Sequence, residues 1–326
     1  MSVVRLHTDE ILDNVGTDID VFICCGSYEE RCKSVAEAID VDRVRSAIVG
    51  WNTNLEAFVY PNTSSLLDRF GEKAVECHLD SSNPITTSDA LKDSLEAVIQ
   101  GDRAQCVLVD VTTFTHESLL ILVKLLQELV KPHDTPFFVY TSAEEYSVGL
   151  EDEDKWLSKG VADVRSVLGY PGRTVPSLPT HLVVLTGYEH DRALRLIEVF
   201  EPDYISLGFG KPGTATSKKH QDANEHFCRL LEKALSFYER QAVEFTFSCC
   251  EPIDAKAAIL EVARARDRSN VVVAPMNTKM STLGAALAVR EDESIQICYA
   301  QAEHYNFGAY SSPAKNCSLF TLDELF

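Results

Sequence analysis

Apolar and polar positions along this chain switch between two patterns. Short runs such as Val21-Phe22-Ile23-Cys24-Cys25 are apolar throughout, and each is followed by a stretch with apolar residues three to four apart. The first pattern predicts strands buried on both faces, and the second predicts helices lying against them. In the first half, strands are predicted over 19–25, 45–51, 74–79, 104–110 and 136–141, with helices over 30–40, 63–71, 87–100 and 115–131. In the second half, strands fall over 181–186, 203–209, 243–248, 270–274 and 294–300, with helices over 190–200, 219–240, 253–267 and 280–291. Strands alternating with helices predict a mostly parallel sheet covered on both faces. Each half is therefore expected to be a five-stranded, Rossmann-like α/β unit.

Two echoes relate the halves. Gly26-Ser27-Tyr28-Glu29-Glu30-Arg31 is answered by Gly187-Tyr188-Glu189-His190-Asp191-Arg192, each after an apolar run. Tyr140-Thr141-Ser142-Ala143-Glu144-Glu145-Tyr146 is answered by Tyr299-Ala300-Gln301-Ala302-Glu303-His304-Tyr305. The same order at nearly the same offset predicts two tandem units related by internal duplication. The first half is placed at 1–150 and the second at 181–326. A connecting segment at 151–180 carries an acidic run (Glu151 to Asp154), Trp156 and the prolines Pro176 and Pro179. Leu319 to Leu322 is expected to add an edge strand. Two like units in one chain suggest a ligand held between them, touched by both.

Composition narrows the function classes. At 326 residues the chain has room for one large core or two ordinary domains. No apolar run has the length to cross a bilayer, so a cytoplasmic protein without membrane association is expected. The net charge of −20 argues against general nucleic-acid binding, which needs a basic face. It leaves room for one small anion in a local basic pocket. Ten cysteines show no Cys-x-x-Cys spacing, and nine histidines form no ligand pair, so no metal or other cofactor is expected.

In open α/β sheets, ligands meet the loops leaving the carboxyl ends of the strands. Gly26, Ser27 and Arg31, with Gly187, Tyr188 and Arg192, lie where free backbone N–H groups at a helix start favour an anion. Each arginine could equally pair with Glu29 or Glu189. The loop 208–219, with Gly210 and Lys211, is rich in glycine, hydroxyls and lysine; it either closes over a phosphate or ribose or is a solvated surface loop. Asn277 and Lys279 follow the fourth strand of the second half, and Asp110, Thr112 and Thr113 follow that of the first. Lys279 there suits a phosphate or developing negative charge, whereas Asp110 suits a ribose or a metal, or caps the next helix. The paired tyrosine segments are read chiefly as packing where the halves meet. No nucleophile–base–orienter set stands out.

By its strand–helix rhythm and the positions of Gly26, Ser27, Gly187, Tyr188, Thr112, Thr113, Asn277 and Lys279, the chain resembles the CARF and SAVED nucleotide sensors of bacterial antiviral systems. The resemblance implies binding of a cyclic oligonucleotide across two Rossmann-like units and, with no fused effector domain, a separate effector protein as partner. It therefore implies a regulatory subunit in antiviral defence that binds a nucleotide-like anion. The competing expectation is a phosphodiesterase or ring nuclease on the same fold, with Lys279 stabilising the transition state and Ser27 or Thr113 orienting a ribose hydroxyl. A third is an interaction scaffold with no small ligand.

Overall fold

The computed structural model describes residues 3–99, 104–146, 158–214, 218–237, 241–307 and 311–326. The chain forms two compact units, Met1–Ser147 with Tyr310–Phe326, and Val148–Ala309. The acidic run at 151–154, Trp156 and the residues 215–217 of the lysine-bearing loop lie outside the described residues.

In chain order the first unit contains β1 (Val4–His7), α1 (Ile11–Val15), β2 (Ile19–Gly26), α2 (Ser34–Ala38), β3 (Val44–Asn52), α3 (Glu56–Phe70), β4 (Ala74–Leu79), α4 (Pro84–Val98), β5 (Cys106–Asp110), α5 (His116–Leu129) and β6 (Thr135–Tyr146). The second contains β7 (Ser158–Ser166), β8 (Thr180–Leu185), α6 (His190–Phe200), β9 (Tyr204–Gly210), α7 (Lys218–Phe237), β10 (Ala242–Phe247), α8 (Pro252–Arg264), β11 (Asn270–Pro275), α9 (Lys279–Glu291) and β12 (Gln296–Tyr305). The chain then returns to the first unit with β13 (Ser311–Thr321).

The first sheet runs β1-β13-β6-β5-β2-β3-β4 and the second β10-β9-β8-β11-β12-β7. The five strands β4-β3-β2-β5-β6 are parallel, as are β10-β9-β8-β11-β12. Each parallel set is flanked by an antiparallel strand, β13 on β6 and β7 on β12. Both units are thus mostly parallel α/β sheets of the same strand order. Ile23 shows the logic of the central strands: it pairs with Ile48 and Val109 on its two sides and is fully buried. Helix starts follow local chemistry. Asn83 caps α4 ahead of Pro84, and the hydroxyls of Thr115 and Thr278 cap α5 and α9.

The structure departs from the sequence expectations in four places. The helix predicted over 63–71 begins at Glu56 and runs through Pro61, which lies on its exposed side. Burial of Val59, Thr63, Leu66 and Phe70 along one stripe outweighs the bond the proline removes. The fifth strands do not end within the Tyr-x-x-Ala-Glu-x-Tyr segments but continue through them to Tyr146 and Tyr305. Residues 158–166, expected in the connection, form β7. Residues 311–321, expected in the second half, form an interior strand of the first sheet, between β1 and β6. The pairing of β7 shifts register opposite Gln301/Ala302 and β7 contains Gly160 at positive φ, while the pairing of β13 shifts on both sides of Pro313, so neither strand carries a clear two-residue period.

Candidate strand-end sites of the two units

In each sheet the connections leave the first and fourth strands of the parallel set in opposite directions, which opens a crevice at their carboxyl ends. In the first unit this point lies after β2 and β5, and in the second after β8 and β11.

After β2, Gly26 lies so close to α3 that an added Cβ would meet Thr63 Oγ1 at 2.2 Å. Asn62 Nδ2 donates to the Ser27 carbonyl at 2.9 Å, and Thr113 Oγ1 donates to the Cys25 carbonyl at 2.5 Å. Ser27 Oγ accepts from the Glu29 N–H at 3.3 Å. The loop is therefore held from two sides, by α3 and by the turn after β5. Asp110 is buried at that turn. Its Oδ1 accepts from the backbone and hydroxyl of Thr112, and Thr112 Oγ1 in turn accepts from the Thr141 N–H at 3.0 Å. Asp110 Oδ2 and Thr141 Oγ1 are buried without a hydrogen-bond partner among the described residues. Burial pushes the Asp110 pKa up to about 7, against the opposing Thr112 bonds and the Arg31 charge.

The second unit repeats the plan with different side chains. A Cβ on Gly187 would meet the Met276 carbonyl oxygen at 1.9 Å, so the loop after β8 lies directly on the turn after β11. Asn277 Nδ2 donates to the Thr186 carbonyl at 2.6 Å, in the role of Thr113. Asn224, on α7 and buried, donates to the Thr186 carbonyl at 2.8 Å and accepts from the Gly210 N–H at 3.1 Å. It joins the loops after the first and second strands. Tyr188 donates its hydroxyl to the His220 carbonyl at 3.2 Å. Lys211 pairs with Asp254 at the start of α8 rather than standing clear in its loop. Lys279 is the first residue of α9 and is half-buried. A pocket of about 10 Å³, room for one water, is lined here by Thr186, Gly187, Glu189, His190, Phe227 and Met276 among others.

The arginines of the first echo lie within the protein. Arg31 is 5% exposed; it pairs with Glu29 at 2.7 Å and donates from Nη1 to the Thr141 carbonyl at 3.2 Å. Arg192, 6% exposed, pairs with Glu189 and donates to the Ala300 carbonyl, at 3.0 Å from Nε. Of the residues predicted for the sites, Gly26, Ser27, Asp110, Thr112 and Thr113 gather at one switch point, and Gly187 and Asn277 at the other, with Gly210 at the end of β9 linked to it through Asn224. Arg31 and Arg192 are turned onto the fifth strands, and Lys211 onto α8. The sequence reading missed Asn62, Thr63 and Asn224. A glycine at a strand end signals a close neighbour, but not which helix supplies it.

Among the described residues no group of three or more His, Cys, Asp or Glu side chains could hold a metal ion, and no helix is long and apolar enough to cross a membrane.

No protein-family model matches the chain, and no curated protein matches it. Among solved structures, it is similar to a Type III CRISPR defence DNA nuclease activated by cyclic oligoadenylate, at 9% identity over 82% of this chain, with a TM-score of 0.49. The likeness spans 63% of that nuclease. An S-adenosylmethionine-dependent methyltransferase from Clostridium acetobutylicum matches at 12% identity over 48% of this chain and 55% of its own, with a TM-score of 0.25. A methyltransferase from Leishmania major matches at 8% identity over 51% of this chain and 67% of its own, also with a TM-score of 0.25.

Proposed function

We propose that this chain is a ligand-sensing or regulatory protein, taking a nucleotide-like anion at the strand-end loops of its two units. In this reading it serves a bacterial defence system and signals to a separate effector protein. One observation carries the proposal: the same scaffold is built at both switch points. A glycine at the start of the first-strand loop lies against a neighbour, α3 in one unit and the turn after β11 in the other, and a side chain from the fourth-strand turn, Thr113 or Asn277, fixes the backbone beside it. Loops held this way are ordered before any ligand arrives, which lowers the cost of binding one. Lys279 adds a positive charge at the start of a helix whose dipole also favours an anion.

The hydroxyls of Ser27 and Thr113 already bond to backbone groups, and among the described residues neither bonds to a histidine or carboxylate that would act as base. This favours binding over turnover. The test is a thermal-shift screen with mononucleotides, dinucleotides and cyclic oligonucleotides, followed by chromatography of the recovered ligand. A rise in Tm with one class, weakened by Lys279→Ala and with the ligand recovered intact, is the expected result. No shift with any member removes the proposal, and a cleaved ligand turns it into the phosphodiesterase or ring-nuclease reading.

A further inference from the structure

Beyond the loops themselves, both units contain the same three-part connection. In the first, Glu29 of the β2 loop accepts from Arg31 and from the hydroxyl of Ser311, while Arg31 holds the Thr141 carbonyl of β6. In the second, Glu189 of the β8 loop accepts from Arg192 and from the hydroxyl of Ser158, while Arg192 holds the Ala300 carbonyl of β12. Ser311 is the first residue of β13 and faces Tyr146, the last residue of β6. Ser158 is the first residue of β7 and faces Tyr305, the last of β12. Both serines are buried, at 2% and 5% exposure.

The serines occupy equivalent places, and both begin a strand just after the chain has crossed from one unit to the other. An arginine–glutamate pair alone would neutralise a buried charge. The serine adds something else: it ties the carboxylate beside Gly26-Ser27, or beside Gly187-Tyr188, to the last rung of a two-stranded arm.

We propose that Ser311 and Ser158 are positioning residues for the ligand loops of the first and second units, holding each loop through Glu29 or Glu189. The proposal rests on the reading of those loops as ligand sites. It adds the regulation of the same sites: the state of a loop and the state of the arm end depend on one shared carboxylate. Moving the loop loosens the arm, and by linkage loosening the arm moves the loop.

Hydrogen exchange read by mass spectrometry on the full, unliganded chain tests this. Ser311→Ala is expected to speed exchange in residues 26–33 about tenfold, the factor for losing one hydrogen bond to a charged group, and to leave 187–192 unchanged. Ser158→Ala is expected to do the reverse, and Ser→Thr at either site to restore protection. Faster exchange confined to the arm strands, or equal loosening of both loops by either variant, overturns the proposal. A silent nucleotide screen with these exchange changes intact would leave the connection standing and remove the sensing function instead.

Discussion

Arg31 donates to the carbonyl of Thr141 across 110 positions of sequence, and Arg192 does the same for Ala300 across 108. The reason lies in strand length. β5 ends at Asp110, which faces Val139, so β6 continues past its parallel neighbour with one edge bare. Thr112 satisfies the Thr141 N–H on that edge, and Arg31 the carbonyl. The arginine is thus an edge cap for an overhanging strand, and Glu29 balances its charge.

Arg31→Ala removes the side-chain donor from the Thr141 carbonyl and the arginine partner from a largely buried Glu29 carboxylate, which keeps the Ser311 hydroxyl. The expected loss is on the order of 3 kcal/mol, and Arg192→Ala should cost a similar amount. Arg31→Ala/Glu29→Gln should recover part of it, because no buried charge then remains. Denaturant titration of the three variants checks the ordering.

Two buried groups give opposite pH dependences. Asp110 has a folded pKa of about 7, raised by burial above the ordinary value of about 3.9. Between those values only the folded form holds the proton, so this group lowers stability as pH rises from about 4 to 7 and is level beyond. His181 is held down to about 4, first by burial and then by the Arg266 charge, against an ordinary value of about 6.5. Its contribution is full above about 6.5 and is lost as pH falls towards 4. Asp110→Asn should therefore raise Tm near neutrality and unmask an acid-side loss. His181→Gln should weaken that acid-side loss. Thermal melts across this range read both, and an unchanged profile in Asp110→Asn contradicts the assignment.

Gly26 and Gly187 should differ in how they can be rescued. A Cβ at Gly26 meets a side chain, Thr63 Oγ1, so Gly26→Ala should be destabilising but partly relieved by Thr63→Ala. A Cβ at Gly187 meets the backbone oxygen of Met276, which no substitution removes. Gly187→Ala should therefore lower Tm more and resist second-site repair. Comparing the melting temperatures of the two singles and the double decides it.

Asn224 uses its amide oxygen and nitrogen on backbone groups of two different loops. Asn224→Ala leaves the buried Thr186 carbonyl with Asn277 as its remaining side-chain donor and frees the Gly210 N–H. The expected cost is about 1–3 kcal/mol. Exchange should rise at 186–187 and 210–211 together; a rise at only one of them would show that Asn224 does not join the loops.

Much of the architecture was legible because parallel strands and their covering helices have distinct apolar periods. The strand at 19–25 and the helix at 190–200 are read almost residue for residue, since burial of β2 on both faces and of one stripe of α6 leaves little freedom. The helix across Pro61 was misread because a local breaker can be outweighed by packing that local sequence does not show. At the sites, the strand-end glycines and the Thr113 and Asn277 turns were visible from position alone. The fate of Arg31, Arg192 and Lys211 was not, because an arginine or lysine in a loop has the same sequence whether it meets a ligand, Asp254 or the edge of a distant strand.

The sequence by itself determined that two like α/β units follow one another and where their strand-end loops begin, because hydrophobic period and turn chemistry act over a few residues. Only the tertiary structure decided that β13 joins the first sheet, that β7 flanks the second, and that Ser311 and Ser158 reach back to Glu29 and Glu189. Strand pairing and buried polar partners are chosen by which bare edges and unsatisfied groups meet in space, and that choice is made over hundreds of residues.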